Sequence, residues 1–295
     1  MPFWEMSVCG GVLILAVLLV RRIAADRLPK TMLRLLWAVA LCRLVLPVRI
    51  PSPTSVYTAV DRLAGPVARP GLLLGEQAAQ QPLPGVRISP VLVVWAAGCI
   101  LLALLFVARH LRGRQKYRES LPLEQPFVKS WMECHRLRRP VQVRVSDQIG
   151  SPLTYGLAFI LAHETAHIRR FDALLKWLLA AALCLHWFNP LVWVMYLLAN
   201  RDLELSCDEA VVREYGGQVK ESYALTLVGM EERRTVASPL ESGFSKNALK
   251  ERVLSILRSP AATMASSLTA LGIVAVVAVV FATSSPASGN AAAEG

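Results

Sequence analysis

Four apolar runs, each bordered on one side by basic residues, limit what this chain can fold into. Residues 2–20 are apolar except for Glu5 and are followed at once by Arg21 and Arg22. About 20 apolar residues suffice to carry a helix across a bilayer. The charge follows this run, whereas a secretory signal peptide carries it in front. A retained span with its N-terminus outside is expected, because lysine and arginine collect on the cytoplasmic side. Arg21 to Arg34, with five basic residues against one acid, then lies inside. A second run, Leu35 to Val48, returns outward, with Trp37 near the inner interface. Arg43 falls within it, either as a functional intramembrane charge or as a side chain snorkelling towards Pro47 and Arg49. The third run, Val91 to Val107, ends inside at the basic stretch Arg109 to Arg118. The fourth, Met264 to Ala282, is uncharged and runs outward from the basic segment Lys250 to Arg258.

Hydrophobic residues make up 54% of the chain, more than an ordinary soluble domain carries. The net charge of +11 invites a nucleic-acid reading, but the basic residues sit beside apolar runs. No zinc finger or arginine-rich arm accompanies them, so direct nucleic-acid binding is not expected. Six cysteines occur without a Cys-x-x-Cys pair and do not read as a disulfide framework. Residues 49–88, with seven prolines counting Pro90, read as an irregular external loop, and Thr283 to Gly295 as a disordered tail.

Chemistry enters between residues 119 and 260. Phe127 to Arg138 has a helical pattern, 141–145 alternates like a strand, and a turn is expected at Gly150-Ser-Pro152. Next comes Leu161-Ala-His163-Glu164-Thr-Ala-His167. Two histidines four apart stand one turn above the other on a helix, where both reach one metal ion. Neutral imidazole ligates zinc well, and a glutamate beside the first histidine can take a proton from an attacking water. The bland alternative is a helix with incidental histidines, although the chain has only five.

A catalytic zinc site takes three protein ligands. The best third candidate is Glu204 in Glu204-Leu-Ser-Cys207-Asp208, with Asp208 four residues on and on the same face. Asp208 is placed to accept the second N–H of a ligating histidine. The alternative is that both acids are ordinary solvated helix residues and Cys207 a small buried one, but a glutamate with an aspartate four residues on, downstream of His-Glu-x-x-His, is the stronger signal. The apolar segment 173–199 separates the two motifs and is interrupted at Asn189-Pro190. If both motifs share one metal, it must return to the side it left. Its 27 residues are too few for two crossings, which need roughly 40. Two shorter helices that dip into the membrane are expected instead. Tyr155 and His186 remain open as oxyanion-stabilising groups.

The motifs His163-Glu164-Thr-Ala-His167-Ile-Arg-Arg-Phe-Asp172, Trp187-Phe-Asn-Pro190 and Glu204-Leu-Ser-Cys-Asp208 resemble those of the BlaR/MecR-type antirepressor membrane metallopeptidases, which are gluzincins. Ser151-Pro-Leu-Thr-Tyr-Gly156, Leu249-Lys-Glu-Arg252 and the order of spans extend the likeness over most of residues 1–282. The resemblance implies a mainly α polytopic membrane protein with about four transmembrane helices and a cytoplasmic gluzincin-like α+β zinc metallopeptidase domain. It implies Zn²⁺ on His163, His167 and Glu204, Glu164 as the catalytic base, and Asp208 behind the ligands. The expected division is a three-span region (1–118), the peptidase domain (119–260) and a last span with an external tail (261–295). The expected partners are a cytoplasmic transcriptional repressor or other protein substrate and the lipid bilayer, with a homodimer left open.

Two departures qualify the likeness. Only a short tail follows Ala282, where β-lactam-sensing relatives carry a penicillin-binding domain, so β-lactam sensing is not expected. The family's further strand before the zinc motif is replaced by Leu157-Ala-Phe-Ile-Leu-Ala162. In gluzincins such an edge strand pairs with the substrate backbone. A quality-control membrane peptidase, or a non-catalytic signalling protein that keeps the metal site, are the rival readings.

Overall fold

The fold is that of a computed structural model describing residues 3–24, 29–46, 89–118, 121–123, 125–135, 137, 141–145, 154–237, 242–258 and 264–282. It is mostly helical: α1 (Phe3–Ala24), α2 (Lys30–Val45), α3 (Pro90–Arg118), α4 (Pro126–Cys134), α5 (Thr154–Arg169), α6 (Asp172–Leu185), α7 (Pro190–Tyr215), α8 (Lys220–Ala237), α9 (Ser242–Arg258) and α10 (Met264–Ala282). Among the described residues, strand pairing is limited to two-residue β1 (Leu121–Pro122) against two-residue β2 (Arg144–Val145), antiparallel. The alternating stretch 141–145 thus contributes only its last two residues to a strand. The external loop, the turn at 150–152 and the tail lie outside the described residues.

Among the described residues, two helices are long and apolar enough to cross a bilayer, with windows at Met6–Ile23 in α1 and Pro90–Gln115 in α3. The second expected span, α2, has 16 residues and is enclosed by its neighbours. Leu33, Leu36, Ala40 and Leu44 recur at three- and four-residue spacing and are buried, with Trp37 and Leu41 beside them. Trp37 is 1% exposed, and Arg43 is buried as well.

Two hydrophobic cores are joined by α7. The first packs Leu13, Ile14 and Val17 of α1 and the buried face of α2 against Leu179 and Leu183 of α6 and Val274 and Val277 of α10. The second packs Val128 and Trp131 of α4 and Leu157, Phe159 and Leu161 of α5 against Tyr223 and Leu227 of α8 and Ile256 of α9. The 26-residue α7 gives Val192, Met195, Ala199 and Leu203 to the first core and Val211 and Val212 to the second. Glu204 and Asp208 fall between these two sets, where the cores meet.

The apolar segment before them folds as two helices broken at Asn189-Pro190. Pro190 occupies the first turn of α7, where its missing N–H costs nothing, and the Asn189 side chain caps by accepting from the Leu191 N–H. The Asn189 amide also donates to the Ser7 carbonyl and hydroxyl, fixing the hairpin tip to α1. On the α3 side, the Trp95 indole donates to the Leu185 carbonyl and the Trp187 indole to the Trp95 carbonyl. A Cβ at Gly98 would overlap the Trp187 ring, so glycine is what lets α3 come this close. At 14 residues, α6 is roughly 21 Å long, short of the ~30 Å hydrocarbon core.

Candidate metal centre

The site is built from the last two turns of α5, the first turn of α6 and the middle of α7. His163 and His167 stand one turn apart on α5 with their rings edge to face at 4.9 Å. Across from them, the Glu204 carboxylate presents Oε2 at 3.4 Å from His163 Nε2 and Oε1 at 3.6 Å from His167 Nε2. The three groups offer ligand atoms all within 4.8 Å of one another. Tetrahedral coordination with ligand bonds of about 2.0–2.1 Å separates neighbouring ligand atoms by roughly 3.3–3.4 Å. Glu204 is further held by Lys176 Nζ at 3.0 Å and Arg252 Nη1 at 3.9 Å. Glu164, beside His163, is exposed.

Each imidazole is tied from behind. His163 Nδ1 lies 3.1 Å from Asp208 Oδ1, and His167 Nδ1 lies 2.8 Å from Asp172 Oδ2. A carboxylate facing Nδ1 keeps the proton there and leaves the Nε2 lone pair for a metal. Asp208, 1% exposed, also accepts the Tyr223 hydroxyl at 2.6 Å and a two-point grip from Arg252 at 2.7 and 2.8 Å. Asp172 accepts from Arg34 at 3.1 Å.

Asp172 reaches His167 because of the turn between α5 and α6. Phe171 adopts the left-handed conformation (φ 55°), which ends α5 and starts α6 with Asp172. That region is uncommon for a bulky residue and costs about 1–2 kcal/mol, so the turn is held by its surroundings. Arg170 fixes it to α7 by donating to the Ser206 carbonyl and hydroxyl.

The electrostatics favour positive charge between the histidines and Glu204. Burial works against protonation of His163, but hydrogen bonds to Asp208 and Glu204 outweigh it and raise its pKa. For His167, burial is likewise overcome by Asp172, Cys207 and Glu204, and its pKa is pushed up to about 11. Burial would raise the Glu204 pKa, yet the two histidines and Lys176 hold it well below the usual carboxylate range. Burial also opposes ionisation of Asp208, and Arg252 and His163 reverse that effect. A divalent cation would satisfy this arrangement by replacing the protons on Nε2.

A second group of donors, His167, Asp172 and Cys207, surrounds the other ring nitrogen of His167. Cys207 is 0% exposed, with Sγ at 3.4 Å from both His167 Nδ1 and Asp172 Oδ2. Burial raises its pKa, which disfavours the thiolate that a metal requires. Two imidazole nitrogens and a carboxylate therefore form the better cation site.

The geometry brings together His163, His167, Glu204 and Asp208, all singled out in the sequence, with Glu164 adjacent on α5. His186 is not among them: it lies at the far end of α6, buried, with Nε2 at 3.1 Å from the Leu44 carbonyl. The side chain of Tyr155 lies outside the described residues. Asp172, Lys176, Tyr223, Arg34 and the contacts of Arg252 were not read from the sequence. Asp172 carried one usable signal, its place five residues after His167.

Among the described residues, a cluster of two histidines and a glutamate thus stands in a helical bundle that carries two span-length apolar helices. The chain belongs to the family described as BlaR1 peptidase M56, whose model matches residues 1–159 and 156–256. The two matches overlap at residues 156–159, inside α5. The chain is 24% identical over 196 residues to the regulatory protein BlaR1 of Bacillus licheniformis, covering 57% of this chain and 33% of that protein. It is 21% identical over 196 residues to the methicillin resistance mecR1 protein of Staphylococcus aureus, covering 55% and 32%. The matched stretch spans about a third of the length of these relatives.

Proposed function

We propose that this chain is a zinc-dependent membrane endopeptidase that cuts a cytoplasmic regulator, a transcriptional repressor first among the candidates, in transmembrane signalling. The observation that carries the reading is the convergence of two histidine Nε2 atoms and the Glu204 carboxylate, each imidazole backed by a buried aspartate. In this reading His163, His167 and Glu204 hold the zinc ion, and Asp208 and Asp172 fix the imidazole tautomers. Bound zinc supplies Lewis acidity that polarises a peptide carbonyl and acidifies water. Glu164 accepts the proton of the attacking water and returns it to the departing amine. The exposed position of Glu164 supports that role, since its carboxylate must meet substrate.

Orientation follows from charge. The helices α1, α2, α3 and α10 are read as four crossings, with regions 1–118, 119–260 and 261–295 as membrane region, cytoplasmic peptidase domain, and last span with external tail. Arg21 and Arg34 flank the first two crossings on their basic side, and both contact acids of the peptidase region, Asp202 and Asp172. That favours a cytoplasmic site. The α6–α7 hairpin is read as dipping into lipid, and it exposes Leu174, Trp177, Trp193 and Leu197. The test is co-expression of the chain or its Glu164→Ala variant with a candidate winged-helix repressor. Loss of full-length repressor with the wild type alone, at equal zinc content, is expected. Equal cleavage by both forms refutes the assignment of Glu164.

A further inference from the structure

We propose that Arg34, in the first two turns of α2, is a positioning residue of the metal centre; this rests on the zinc reading above. Asp172 is 1% exposed, and its carboxylate takes Arg34 Nη1 on Oδ1 at 3.1 Å, with His167 Nδ1 at 2.8 Å and the Cys207 thiol at 3.4 Å on Oδ2. Arg34 holds one oxygen and His167 with Cys207 the other, so the plane of the carboxylate is set from both sides. Without Arg34 a buried carboxylate loses a cation that offsets its desolvation, and rotation, hydration or protonation follows. Each of these weakens the bond that fixes the His167 tautomer and ring.

Arg34 reaches the site from outside the peptidase region, because α2 is the second of the apolar helices. Two further contacts anchor the same helix: the Thr31 N–H donates to Glu209 Oε2 at 3.3 Å, and the Trp37 indole to Asp202 Oδ2 at 2.7 Å. Both acids lie on α7, within five residues of Glu204. Arg34 thereby makes α2 part of the scaffold of the metal site. In Arg34 the planar guanidinium sets direction as well as charge, which a lysine ammonium does not.

The test is zinc affinity of the full-length chain in detergent, read by chelator competition, for wild type, Arg34→Gln, Asp172→Asn and the double variant. Changing a group behind a zinc ligand typically weakens binding about 10–100-fold. Arg34→Gln is expected to weaken zinc about tenfold in the wild-type background and to add less than twofold on Asp172→Asn, because Arg34 acts through that carboxylate. If Arg34→Gln does not fold, Arg34→Lys alone and with Asp172→Asn reads the same coupling, with a smaller loss. Stoichiometric zinc in the wild type with no weakening by the Arg34 change, or an equal factor in both backgrounds, overturns this inference and leaves the zinc reading standing. A wild type that holds no zinc overturns both.

Discussion

The Asp208 carboxylate meets three side chains, and its neutralisation has a calculable outcome. It is buried at 1% exposure and receives two donors from Arg252, one from Tyr223 and the Nδ1 side of His163. Asp208→Asn keeps the shape but removes the charge and turns an N–H₂ towards donors. Breaking a buried ion pair from one side costs about 3–5 kcal/mol. Arg252 is 23% exposed and can partly rehydrate, which brings the expected loss to roughly 2–3 kcal/mol. Zinc affinity falls as well, by about 10–100-fold, since His163 loses its orienting acceptor. The assay is thermal unfolding of the purified chain in one detergent, with and without chelator, beside zinc competition. Asp208→Asn combined with Arg252→Leu recovers much of the stability, because no unpaired charge remains, but does not recover zinc affinity. An Asp208→Asn protein within about 0.5 kcal/mol of wild type, the usual range for inert surface changes, and with unchanged zinc affinity would refute the reasoning.

Two further outcomes follow from the same contacts. Asp202, 0% exposed, accepts Arg21 through both oxygens and the Trp37 indole, so Asp202→Ala is expected to cost about 2–4 kcal/mol, whereas Arg22→Ala at an exposed neighbour stays within about 0.5 kcal/mol; melting temperatures compared side by side check this. Because the His167 pKa in the metal-free site is pushed up to about 11, zinc must displace a proton at neutral pH, and apparent affinity rises with pH by about tenfold per unit for each proton released. Calorimetry in buffers of different ionisation enthalpy counts those protons, and zero release between pH 6.5 and 8 contradicts the protonated metal-free site.

The centre of the site was legible because it is written locally. Residues four apart on a helix share a face whatever the fold, so His163 with His167 and Glu204 with Asp208 could be paired from spacing alone. The hairpin break at Asn189-Pro190 was legible for the same reason, since proline and its capping residue act on their own turn. The rest depends on chain geometry that spacing does not encode. Asp172 meets His167 only because Phe171 takes a left-handed turn, which no residue type at that position announces. Tyr223 and Arg252 reach Asp208 from α8 and α9, 15 and 44 residues away. Arg21 and Arg34 read as charges flanking spans, and their partners Asp202 and Asp172 emerge only from the packing of α1 and α2 on α6 and α7. The same packing explains why Trp37 is buried in the bundle: a buried acceptor, Asp202, draws its indole inward.

X-ray absorption at the zinc edge of the purified full-length chain tests the central claim most directly, because it separates the two donor groups around His167. Coordination by His163, His167 and Glu204 predicts only nitrogen and oxygen neighbours at about 2.0–2.2 Å, with the multiple scattering of two imidazoles. A sulfur neighbour at about 2.3 Å would place the ion with Cys207 instead and contradict the account.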